Sequence, residues 1–98
     1  MDKTYGISDT VVPKRMGASG LVIQGVVKLH WLACNPSATG SLCEIADATT
    51  NGVAILLDFY STDRESKSKV FLPPCPFTKG IYLETFTNMT AITLGYST

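Results

Sequence analysis

Charge is scarce in this chain. Of its 98 residues only 16% are Asp, Glu, Lys or Arg, and eight basic side chains offset eight acidic ones. The balance excludes the basic excess that marks a nucleic-acid binder, so no nucleic-acid partner is expected. Histidine and tryptophan occur once each, as His30 and Trp31. One histidine, and cysteines at 34, 43 and 75 with no ligand spacing between them, leave a metal site without donors. No glycine-rich phosphate loop opens a helix, so no cofactor is expected. No apolar run is long enough to span a bilayer. The opening MDKTYGISDTVVPKRMG has no apolar core of the secretory kind, so neither membrane nor export is expected. The odd cysteine count then reads as reduced thiols in a chain that folds in a cytosol. A sustained 3.6 period is absent too, and with it any expectation of helix.

What the chain does have is 45% hydrophobic residues, set largely at period 2. Leu21, Ile23, Val27, Leu29, Trp31 and Ala33 share one parity with Gly25. The other parity is mixed: Val22, Gln24, Val26, Lys28, His30, Leu32. That alternation predicts strand with one buried face, and Gly25 predicts a bend that splits it in two. Asn35 to Gly40 is turn chemistry. A strand over 41–48 follows, with Cys43 and Ile45 inward. Asn51-Gly52 predicts a tight type I′ hairpin, in which Asp47 bonds the turn backbone and Val53, Ile55, Leu57 and Phe59 form the return strand. Residues 63–69 read as a charged loop. Val70 and Leu72 form a short strand that Pro73, Pro74 and Pro76 end or confine to a sheet edge. Residues 81–87, a turn at Asn88, and Thr90, Ile92, Leu94 and Tyr96 complete the count. About six to eight short strands with regular turn signals predict an antiparallel β-sandwich or jelly roll. Its expected core is Ile23, Val27, Leu29, Trp31, Ile45, Ile55 and Leu57.

Two parts are expected: an extended N-terminal arm over 1–18, and a β-sandwich domain over 19–98. The arm carries Tyr5, Ile7, Val11, Val12 and Met16 as spaced anchors, suited to adding onto a neighbour's sheet edge.

No catalytic set emerges. His30 and Cys34 resemble a base and a nucleophile, but four residues of regular strand span roughly 13 Å, too far to hydrogen-bond. His30 reads as a solvated or interface residue. Glu44, Asp58 and Glu84 fall on different strands. An enzyme is not expected. The low charge predicts that some apolar surface faces a partner. Val22, Val26 and Leu32 on one mixed face, and Leu56 and Tyr60 on another, are the interface candidates, together with His30, Tyr5, Ile7, Val11 and Val12. A homo-oligomer, most simply a trimer, would cover them.

Gly25-Val26-Val27-Lys28-Leu29-His30-Trp31, then Cys43-Glu44-Ile45-Ala46-Asp47, then Asn51-Gly52, resemble a group of small all-β virion structural proteins from tailed bacteriophages. Gly80-Ile81-Tyr82-Leu83 and Ile92-Thr93-Leu94 are similar to that group's closing strands. The resemblance spans roughly residues 20 to 97. It implies a non-enzymatic capsid decoration or cement protein, made in the host cytoplasm and located on the virion. Its partners would be the major capsid protein or other virion subunits. A head-fibre or tail component and a glycan-binding β-module are the alternatives. The last would need exposed aromatics gathered on one face, with Tyr60, Tyr82, Phe86 and Tyr96 as candidates.

Overall fold

The computed structural model describes residues 10–98. Eight strands fill them: β1 (Val12–Met16), β2 (Gly20–Gln24), β3 (Val27–Pro36), β4 (Ser41–Asp47), β5 (Leu57–Ser61), β6 (Lys67–Phe77), β7 (Gly80–Thr87) and β8 (Met89–Ser97). They form two four-stranded sheets, β1-β8-β3-β6 and β2-β7-β4-β5. Every pairing is antiparallel. The first strand pairs with the eighth, the second with the seventh, the third with the sixth and the fourth with the fifth. That nesting is a long hairpin folded over on itself. Of the two architectures the sequence allowed, it is the jelly roll.

The corner between the sheets comes where the sequence places a bend. β2 and β3 lie in different sheets, joined by Gly25 and Val26, and Gly25 takes a φ of 114°. A side chain is strained in that region, whereas glycine is not.

Between the sheets, Val27, Leu29, Leu32, Cys34, Ile92 and Leu94 meet Val22, Cys43, Ile45, Ile81 and Leu83. Two bulges explain why this core differs from the expected one. Between Leu29 and Trp31 the register against β8 advances one residue while β3 advances two. His30 is the extra residue. A one-residue slip exchanges the two faces of a strand. Val27 and Leu29 therefore face the core before the bulge, and Leu32 and Cys34 face it after. Trp31, expected at the core, is only half-buried. A second bulge between Leu21 and Ile23 turns Val22 inward, leaving Leu21 exposed and Ile23 half-buried at the core margin. Val22 and Leu32, expected at an interface, are core residues.

The expected hairpin at Asn51-Gly52 is wider than a type I′ turn. Gly52 alone of the pair has positive φ, at 92°. The β4–β5 ladder closes at Ile45–Leu57, with Leu56 N–H donating to the Ile45 carbonyl at 2.8 Å. Val53 and Ile55 thus sit in an open loop, and Ile55 is 40% exposed rather than core. Asp47 bonds a different turn from the one expected. Its carboxylate accepts from Thr78 N–H, Thr78 Oγ1–H, Lys79 N–H and Gly80 N–H, fixing the β6–β7 connection.

The prolines do not end β6. The strand runs through them at a sheet edge, where a missing N–H leaves no ladder bond unmade. Between Leu29–Cys75 and Trp31–Val70 its register skips, so residues 71–74 loop out around a cis Leu72-Pro73 bond. Of the expected arm, residues 1–9, with Tyr5 and Ile7, lie outside the described residues. Residues 12–16 are extended but pair with β8 of the same chain as an integral edge strand.

Burial opposes ionisation of Asp47, but the backbone amides of Thr78, Lys79 and Gly80 and the Thr78 hydroxyl more than offset it and hold the carboxyl at about 2. A carboxyl lowered from an ordinary 3.8 adds stability above that value and loses it as pH falls toward 2. Because the group is partly open to solvent, we expect Asp47→Asn to cost about 1 kcal/mol at neutral pH. Thermal melts of both proteins should converge between pH 4 and 2, and a constant gap across that range would contradict this role.

Candidate functional site

The two sheets part where edge strand β5 faces edge strand β6. A pocket of about 230 Å³ opens there. Leu32 and Cys34 from β3 and Met89 from β8 form one wall, and Phe59 and Tyr60 from β5 the other. The alternation of β6 places Lys69 opposite Leu32 and Lys67 opposite Cys34. Both lysines are therefore on the parity that points between the sheets, and they line the pocket with Ser68. The expected charged loop is in this respect wrong at its C-terminal end: 67–69 are strand. Lys67 Nζ pairs with Asp63 at 3.2 Å in an exposed bridge. The bonds of Asp63 to Glu65 N–H, Lys67 and Ser61 hold its carboxyl below the usual range.

Ser41 and Ser61 complete the lining. They are cross-strand partners, both buried. Ser61 Oγ–H donates toward Asp63. Ser41 is 1% exposed and its Oγ has no hydrogen-bond partner among the described residues. A buried hydroxyl left so is uncommon, because losing water without a replacement bond costs about 1–3 kcal/mol.

The residues singled out in the sequence disperse. His30 Nε2 and Ser97 Oγ share a 2.7 Å hydrogen bond. Cys34 instead faces the opposite sheet, where its thiol meets that of Cys43. The hydrogen bond from Cys43 lowers the Cys34 pKa against the pull of burial, and raises that of Cys43. All three cysteines are free thiols. Burial, and then the charge of Asp47, raise Cys75. Glu44 and Asp58 do come together, as direct cross-strand partners on the outer face of β4 and β5. No group of three or more His, Cys, Asp or Glu among the described residues could hold a metal ion.

Of the interface candidates, Val26 (74%), Tyr60 (67%), Leu56 (49%) and Val12 (44%) are exposed. Val11 and His30 are half-buried. The most exposed of the large apolar side chains, Leu72 at 87%, was not among them, nor was Val70 at 62%. Both lie on β6, where the prolines obscured the extent of the strand. The four aromatics do not gather. Tyr60 and Tyr82 pair with Leu42 and Ala46, four residues and roughly 13 Å apart on β4. Phe86 and Tyr96 pack against the core.

Trp31 covers Gly95, its partner on β8. A β-carbon at Gly95 would overlap the Trp31 indole. Gly95→Ala should expel the ring, shifting the emission of this sole tryptophan to the red at modest cost in stability; an unchanged emission maximum would refute the contact.

Scans against protein-family models, curated proteins and solved structures returned no match.

Proposed function

We propose that this protein is a non-enzymatic assembly subunit. The exposed apolar side chains on so lightly charged a domain carry the reading: Val26, Tyr60, Val70 and Leu72 are each more than 60% exposed. Exposed apolar side chains that lie together mark contact sites for other proteins, and Val70 and Leu72 are two positions apart on β6. The lysines and prolines of edge strand β6 discourage strand pairing, so contact there would run through the side chains of Val70 and Leu72. The specific form we favour is a virion surface protein, a capsid decoration or cement subunit acting as a homo-oligomer, most simply a trimer. That form rests on the sequence resemblance to small phage structural proteins, and the jelly roll is compatible with it, as it is with lectins and other uses of this fold. The dispersal of the aromatics speaks against a stacked glycan platform.

Sedimentation velocity of the full chain at micromolar concentration tests assembly. The expected species exceeds the 10.5 kDa of one chain, threefold for the trimer. Leu72→Glu should return it to monomer without unfolding it. A wild-type monomer would remove the assembly reading. Electron microscopy of particles carrying the chain would place it on the shell, at a vertex or on the tail.

A further inference from the structure

We propose that the pocket between β5 and β6 binds a small apolar carboxylate, a monoacid with a ring or short chain as its body. Three features of the pocket carry this, independently of any assembly role.

The first is size and lining. An apolar cavity of about 150 Å³ admits benzene. At about 230 Å³ this pocket has room for a ring and one short polar substituent. Leu32, Phe59 and Met89 give the ring apolar walls.

The second is charge. The cationic residues of the pocket lining are Lys67 and Lys69. Lys67 is engaged by Asp63, whereas Lys69 has no ion pair among the described residues. Lysine on the inward parity of an edge strand also discourages pairing with another sheet. That purpose needs only the charge, and makes no use of a pocket beneath it.

The third is the Ser41 hydroxyl, buried in the lining and without a partner. Buried polar groups are almost always hydrogen-bonded. The hydroxyl oxygen itself is closed off in the unliganded pocket, so a ligand oxygen pairs with it once the side chain rotates toward the cavity, a partner that an all-hydrocarbon ligand does not offer. An apolar body, a cation and a buried donor together select an acid over a hydrocarbon or an amine.

Phenylacetate is the probe, with 2-phenylethanol as its uncharged counterpart. Titrated into the full chain and followed by ¹H–¹⁵N correlation spectra, a ligand of this size should saturate with Kd on the order of 1 mM or tighter. The amides of Leu32, Ser41, Tyr60, Ser61 and Met89 should shift. The alcohol should bind about fivefold or more weakly, because a charge-assisted bond is roughly twice as strong as a neutral one. Lys69→Gln should bring the acid down to the affinity of the alcohol and leave the alcohol unchanged. Lys67→Gln, whose partner is Asp63, should do less. Absence of saturable shifts, shifts centred elsewhere, or equal acid binding by Lys69→Gln would overturn the proposal.

Discussion

Gly80→Ala should unfold most of the protein or cost about 3 kcal/mol or more. The β-carbon would stand 2.6 Å from the Ile23 carbonyl oxygen, 3.1 Å from Gln24 Cα and 3.2 Å from the Ala48 carbonyl oxygen. All three are backbone atoms of neighbouring segments, so no side chain can swing aside. Gly80 also takes a φ of 153°, where L-residues are strained. The close approach has a structural purpose. Ala48 N–H donates to the Gly80 carbonyl, and Gly25 N–H to that of Lys79, so the ends of β2 and β4 are tied to the start of β7. Gly25→Ala is the internal control. It has positive φ, but nothing lies within 4 Å of its would-be β-carbon. It should cost only the dihedral strain, about 1 kcal/mol. Urea denaturation followed by circular dichroism would measure both. Equal costs would show that conformation, not contact, governs Gly80.

Phe77→Ala is the second large loss, about 3–5 kcal/mol. Phe77 is fully buried at the end of β6, opposite Val27, and is among the largest side chains without solvent contact. Trp31→Ala should cost distinctly less, although tryptophan is larger. Trp31 is half-buried against Gly95, and its removal leaves an indentation that water can fill rather than an internal cavity. The comparison is a direct test of the bulge at His30. If Trp31→Ala proved the more damaging of the two, the parity after the bulge would have to be reversed.

These residues also show where a sequence stops informing. Its alternation carried the all-β class, the corner at Gly25, the turn at Asn88 and the core positions Val27, Leu29 and Ile45. Each depends on a local rule: period 2 for a half-buried strand, and a residue tolerant of positive φ at a turn. Asn88 indeed has a φ of 53°. Phe77 escaped notice because three prolines within four residues before it mask the period, and nothing local reveals that the strand is at an edge where prolines are tolerated.

What only the tertiary structure decided is which face is which beyond a bulge. Extra residues at His30 and Val22 moved Leu32 and Val22 into the core and Trp31 out of it. A bulge is set by how two paired strands accommodate each other's twist, so the sequence of one strand does not announce it. The pocket is of the same kind. Ser41 is far along the chain from Lys67 and Lys69, and none of the three is remarkable within it. They line one pocket because the jelly roll brings the edges of its two sheets side by side without hydrogen-bonding them, and that proximity is a property of the wrapped hairpin rather than of any segment in it.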